Sequence, residues 1–236
     1  MTPSTGCRVL LAGDSTVAAC PAQETPMSGW GPHLGAPLTA RLAATGDAGP
    51  AGVTVVNTAR GGATTESHRA EGLWAALLHE LRPGDVVVLQ FGHNDQKVEH
   101  LGARSGYTEN LERACAEVLV AGGHPVLCTP VARRRFVAGR LECTHGDFPQ
   151  AVRDLAQRLG LPCLDLSRST AELYRELGEE ASRALFTHLA PGEHPLHPDG
   201  VADDTHFSTT GAVAVAQQVA AALASCWPAH RAGAGR

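Results

Sequence analysis

Cys7-Arg8-Val9-Leu10-Leu11-Ala12-Gly13-Asp14-Ser15-Thr16-Val17 sets an apolar run directly against Gly-Asp-Ser-Thr, and the reading of that junction decides the fold. The run is short and shows no alternation of apolar and polar residues, so it reads as a strand buried on both faces. Four further runs have the same character: Val53 to Asn57, Asp85 to Phe91, Pro125 to Thr129 and Pro162 to Leu166. Helical spacing occupies Leu34 to Ala44, Ala70 to Leu81, Tyr107 to Ala121, Asp147 to Leu159, Ser169 to Gly178 and Thr209 to Cys226. Strands alternating with helices need right-handed crossovers, which predicts an α/β fold: a three-layer α/β/α sandwich around a five-stranded parallel sheet.

Composition bounds the rest. The 236 residues are 43% apolar and 18% charged, which suits one folded domain rather than a disordered or fibrous chain. Residues 1–227 read as that domain and 228–236 as a flexible tail, with Ala43 to Gly52 as a second flexible piece. A net charge of -5, with Arg133-Arg134-Arg135 as the only basic cluster, argues against nucleic acid or an anionic membrane as partner. No window approaches the ~20 apolar residues of a membrane span. Met1 to Gly6 is polar and leads into a strand instead of a cleavage site. Seven cysteines, never in a Cys-x-x-Cys pair, fit reduced thiols better than disulfides or a zinc site. Together these point to the cytoplasm.

In an open parallel sheet, ligands bind beyond the carboxyl ends of the strands. Three strand ends carry unusual residues: Gly13-Asp14-Ser15, Asn57-Thr58-Ala59-Arg60-Gly61-Gly62 and Gly92-His93-Asn94-Asp95. A fourth block, Asp203-Asp204-Thr205-His206-Phe207-Ser208, precedes the last helix. A serine nucleophile needs a base, and the base needs a group that fixes its tautomer. Asp203 and His206, three residues apart on one loop, supply such a pair, while a glycine N–H and the Asn94 amide suit a developing oxyanion. Each block also has a plain structural reading. Gly-Asp-Ser makes an Asx-type turn, Gly61-Gly62 a positive-φ turn, Asn94-Asp95 a cap, and Asp203 to His206 a turn before a helix capped by Ser208 or Thr209. Their common position at one sheet edge favours chemistry.

These blocks resemble those of the SGNH hydrolase superfamily, the Gly-Asp-Ser lipases and esterases. The fuller wording of Gly13 to Val17, Gly29-Trp30-Gly31, Asn57 to Gly62, Gln90 to Asp95 and Asp203 to Ser208 is similar to rhamnogalacturonan acetylesterases of carbohydrate esterase family 12. Arg133 to Phe136, Gly146 to Ala151, Leu185-Phe186 and Pro191 to Pro195 extend the resemblance over nearly the whole chain. It implies Ser15 as nucleophile, His206 as base and then acid, and Asp203 as the orienting carboxylate. The implied oxyanion donors are the N–H groups of Ser15 and Gly62 and the side chain of Asn94. Only the family offset selects Asp203 over Asp204, and Gly62 over Gly61. No Gly-x-Ser-x-Gly elbow surrounds Ser15, and a nucleophile after the first strand suggests a flavodoxin-like strand order.

The implied reaction is hydrolysis of acetyl esters on carbohydrate, with acetylated pectic oligosaccharide or polysaccharide as partner and no metal or organic cofactor. Trp30 and Phe207 flank the site segments and are candidates to line it, core packing being the competing reading of Trp30. Arg133, Arg134 and Arg135 are candidates to meet galacturonate carboxylates. The stretch Glu193-His194-Pro195-Leu196-His197-Pro198-Asp199 reads as a stiff wall near His206 rather than a metal site. Two rivals remain: another short-chain acyl ester, such as acetylated xylan or a lipid, and a catalytically silent carbohydrate-binding protein.

Overall fold

The computed structural model describes residues 7–47 and 52–228. Residues 48–51 of the expected flexible piece and 229–236 of the expected tail lie outside the described residues. The elements in chain order are β1 (Cys7–Gly13), α1 (Gly35–Thr45), β2 (Val53–Asn57), α2 (Thr65–Ala70), α3 (Leu73–Glu80), β3 (Val86–Gln90), α4 (Gly106–Val120), β4 (His124–Cys128), β5 (Phe136–Val137), β6 (Arg140–Leu141), α5 (Phe148–Leu159), β7 (Cys163–Leu164), α6 (Leu166–Ser182), β8 (Phe186–Leu189), β9 (Val201–Phe207) and α7 (Thr209–Ser225).

β2, β1, β3, β4 and β7 form one parallel sheet in that order, the flavodoxin-like arrangement. Alternate residues of β1 feed two cores because strand side chains point to opposite faces. Val9 and Leu11 pack with Trp30, Leu34, Leu38 and the α7 stripe Ala212, Val215, Ala216, Val219. Leu10 and Ala12 pack with Trp74, Leu77, Tyr107, Leu111, Val152 and Leu155 from the opposite helices. The unbroken apolar reading of β1 thus follows from cover on both sides. β2, at the sheet edge, is only half-buried.

Several boundaries differ from the expectation. The helix predicted over Ala70 to Leu81 is α3, which starts only at Leu73 because Gly72 adopts φ 80°, and a separate short helix, α2, which the spacing did not show, precedes it. The fifth strand pairs over only two residues. Asp165, accepting from Thr129 Oγ1 at 3.1 Å and Arg153 Nη1 at 3.0 Å, turns the chain there into α6. The Asp203 to His206 segment is not a loop but lies on β9, which pairs antiparallel with β8 in a separate two-stranded sheet. Among the described residues no helix is long and apolar enough to cross a membrane.

Candidate active site

Beyond Gly13 the chain makes one tight turn, the N–H groups of Val17 and Ala18 returning to the Asp14 carbonyl at 3.1 and 3.0 Å. The buried Asp14 carboxylate accepts from Thr16 N–H at 3.0 Å and Thr16 Oγ1 at 2.8 Å, so the Asx-type reading of Gly-Asp-Ser holds alongside the chemical one. His93 Nδ1 reaches the other carboxylate oxygen at 3.2 Å. Burial opposes ionisation of Asp14, but His93 and Thr16 outweigh it and hold its pKa below the ordinary carboxylate value. Behind the turn, Gln90 Nε2 donates to Thr16 Oγ1 at 2.6 Å, and Trp30 Nε1 donates to Gln90 Oε1 at 2.9 Å. A continuous buried hydrogen-bond chain therefore fixes the turn that presents Ser15.

His206 reaches Ser15 through an irregularity of the hairpin. Phe186 pairs with Phe207, yet the next residue, Thr187, pairs with Asp203, so Asp204, Thr205 and His206 bulge out of β9. Asp203 Oδ1 closes the bulge by accepting from the N–H groups of Thr205 at 2.7 Å and His206 at 2.9 Å. Its Oδ2 lies 2.6 Å from His206 Nδ1, and His206 Nε2 lies 2.9 Å from Ser15 Oγ. A carboxylate only accepts, so Nδ1 carries the proton and Nε2 is left as the base facing the hydroxyl. Burial raises the Asp203 pKa, but the hydrogen bonds from the ring and backbone of His206 and from Thr205 bring it down to about 2. The Asp203 hydrogen bond in turn raises the His206 pKa above its usual 6.5, against the effect of burial.

Asp204 is engaged elsewhere. Its Oδ1 accepts from Arg134 Nη1 at 2.8 Å and faces His188 Nε2 at 2.9 Å. Arg134, buried, also donates to Ser182 Oγ at 3.1 Å and to the Glu179 carbonyl, and its own N–H bonds the Asp204 carbonyl at 2.9 Å. The choice between the two neighbouring aspartates is thus made by geometry. Arg134, expected at a substrate carboxylate, and His188, which the motifs did not mark, instead hold Asp204 in the bulge.

The donors for an oxyanion stand on the other side of Ser15. Ala63 N–H bonds the Arg60 carbonyl at 3.1 Å, a turn whose third residue, Gly62, has φ 77°. Gly61 packs against the serine: a Cβ there would lie 4.0 Å from Ser15 Cβ. Neither the Ser15 nor the Gly62 N–H has an acceptor among the described residues, which leaves both for a ligand. Asn94 Nδ2 donates one hydrogen to the Ala63 carbonyl at 3.1 Å and keeps a second, while Lys97 Nζ holds its Oδ1 at 3.1 Å. Asp95 accepts from the Thr65 N–H at 2.8 Å and so caps α2.

Ser15, Gly61, Gly62, Asp203 and His206 line a cleft of about 550 Å³, together with Ala18, Ala19, Met27 and Arg60. The bond to the Ala63 carbonyl sets the Asn94 amide next to the Gly61-Gly62 turn. Two expected lining residues are corrected. Trp30 is 0% and Phe207 1% exposed, both in the core between the sheet and α7, so neither ring can stack on a sugar. Of the three arginines, Arg134 and Arg135 are paired with Asp204 and Glu142. Arg133 lies outside the cleft, donating to Thr144 Oγ1 at 3.3 Å and the His93 carbonyl at 3.2 Å. His197 lines the cleft and His194 stands 5.5 Å from it, ring to ring. Among the described residues no group of three or more His, Cys, Asp or Glu is placed to hold a metal ion.

Known proteins share this architecture. The rhamnogalacturonan acetylesterase RhgT of Bacillus subtilis (strain 168) is 42% identical over 214 residues, spanning 90% of this chain and 88% of its own. The crystal structure of YxiM from Bacillus subtilis matches with a TM-score of 0.75 at 24% identity, over 95% of this chain and 58% of that one. A catalytic mutant of an acetylxylan esterase from Geobacillus stearothermophilus matches with a TM-score of 0.64 at 19% identity, over 94% and 96%. At these identities the two structures speak for the fold alone. The profile of the GDSL-like lipase/acylhydrolase family covers residues 11–214. This chain belongs to that family and is a carboxylic-ester hydrolase.

Proposed function

We propose that the chain is a serine esterase that removes acetyl groups from rhamnogalacturonan oligosaccharides. The observation that carries the substrate is the 42% identity to a protein of that activity along 90% of this chain. The chemistry is supported by the hydrogen-bonded series Ser15, His206, Asp203 beside two unused N–H groups. Ser15 Oγ attacks the acetyl carbonyl as its proton passes to His206 Nε2. The oxyanion settles between the N–H groups of Ser15 and Gly62 and the Asn94 amide. His206 then protonates the departing sugar oxygen, leaving an acetyl-Ser15 ester. A water molecule, deprotonated by His206, attacks that ester, and acetate leaves as the proton returns to Ser15.

Asp203 stays ionised throughout, because a carboxylate held at about 2 stabilises the imidazolium without taking its proton. Seven free cysteines suit a reducing compartment, where the substrate would be an imported oligomer. The test is acetate release from acetylated rhamnogalacturonan oligomers and, in parallel, acetylated xylan, by the wild type and Ser15→Ala. Ser15-dependent release favouring the pectic oligomers is expected. Preference for xylan overturns the substrate and keeps the mechanism, and binding without acetate release overturns both.

A further inference from the structure

A second concavity, of about 290 Å³, opens between α6, α5 and the segment after β6. Its volume suits one sugar ring rather than a drug-sized ligand. Arg168, Ala171 and Arg175 fall on one face of α6 because they are spaced by three and four residues, and the small alanine leaves the hollow between the two guanidiniums. Arg133 and Arg153 complete a wall of four arginines against two carboxylates, Glu142 and Asp165, in a chain whose net charge is -5.

Those charges are incompletely neutralised. Arg153 is paired with Asp165 at 3.0 Å, and Arg168 only loosely, with Asp165 at 4.0 Å and Glu172 at 3.8 Å. Arg175 has no hydrogen bond or ion pair among the described residues. Arg133, half-buried, also forms no ion pair and donates to neutral groups: the Gln96 side-chain oxygen at 2.6 and 2.8 Å, Thr144 Oγ1 and the His93 carbonyl. Arg168 and Arg175, both exposed at the pocket, keep N–H groups that a carboxylate can accept in a two-pronged geometry.

The pocket adjoins a groove that reaches the residues just before His206. Arg133 and Thr144 line both it and a groove whose other wall is Asp204 and Thr205, the residues just before His206. A chain of sugars seated on Ser15 can therefore run past Thr205 and place a neighbouring residue among the arginines.

We propose that this pocket is a subsite for the carboxylate of a uronic acid in the substrate, with Arg168 and Arg175 as its donors and Arg133 adding positive charge to its wall. The inference rests on the proposed pectic substrate and names the part of it that a neutral xylan lacks. It differs from the plain expectation for the three consecutive arginines, since Arg134 and Arg135 are spent on Asp204 and Glu142.

Binding tests it without turnover. Calorimetric titration of the Ser15→Ala protein with a deacetylated oligomer of alternating galacturonate and rhamnose is expected to show binding, weakened about tenfold when the carboxylates are methyl-esterified. Arg175→Ala and Arg168→Ala, each added to Ser15→Ala, are expected to weaken binding of the acid oligomer about fivefold and leave that of the ester unchanged. In the Ser15 background both substitutions leave 4-nitrophenyl acetate turnover at the wild-type level, which reports an intact fold. Equal affinity for acid and ester, no binding of the acid, or arginine variants that lose both ligands alike would each overturn the subsite. A wild type that deacetylates xylan and not rhamnogalacturonan overturns the proposed function instead, a result read from acetate and independent of the calorimetry.

Discussion

A serine hydroxyl is a weak nucleophile at neutral pH, so the proposed mechanism requires His206 Nε2 free of its proton when Ser15 attacks. Asp203 raises the His206 pKa, which favours the protonated, inactive form. Hence kcat/KM on 4-nitrophenyl acetate should fall on acidification with a midpoint above 6.5, the ordinary imidazole value. Asp203→Asn removes that stabilisation, so its midpoint moves down while turnover drops about a thousandfold or more. A midpoint that does not move in the variant would separate Asp203 from His206. Asn94→Ala deletes one oxyanion donor and is expected to lower kcat about 100-fold with KM and melting temperature near wild type. Ser15 and Asn94 were legible as residue types at strand ends, and His206 by its place in the block before the last helix. Asp203 was not separable from Asp204 until one carboxylate was seen on an imidazole and the other on Arg134.

The bulge in β9 is the device that carries His206 out of a regular ladder, and its anchor is Arg134. Arg134→Met removes the guanidinium from Asp204, from the Ser182 hydroxyl and from the Glu179 carbonyl, so a loss of about 2–4 kcal/mol is expected in urea unfolding. Because the bulge also orients the base, kcat should fall more than KM changes. Unaltered kcat in a stably folded variant would mean that Asp203 alone holds His206 in place. The hairpin itself was not readable beforehand: β8 and β9 are short, polar and interrupted by three unpaired residues, which destroys the alternation that marks a strand. The five strands of the main sheet were readable for the opposite reason, since cover on both faces leaves them continuously apolar.

Across the molecule, the nucleophile turn is held from the far side of the sheet edge. Trp30 contributes both buried area and the N–H that begins the series through Gln90 and Thr16 to Asp14. Trp30→Phe keeps most of the apolar area but leaves Gln90 Oε1 unpaired in the core, an expected cost of about 1–3 kcal/mol in guanidinium unfolding. The fold should survive, with turnover reduced because Ser15 is less well fixed. A variant as stable as wild type would show that Gln90 finds another donor. The same tryptophan was a candidate sugar platform by its place near the site segments, and its full burial makes it scaffold.

Read from the chain alone, consecutive residues determined the class of fold and the strand ends to inspect for chemistry, and offered Ser15 and His206 as candidates for nucleophile and base. That is because strand burial and helix period are written locally, and because few side chains can serve as a base to a serine. The tertiary structure decided which aspartate orients His206, which arginines remain without an ion pair, and that Trp30 and Phe207 face inward. Those outcomes depend on partners brought together from far along the chain. Ser15 and His206 are 191 residues apart, and no local spacing encodes which groups the folded chain will place within hydrogen-bond reach of each other.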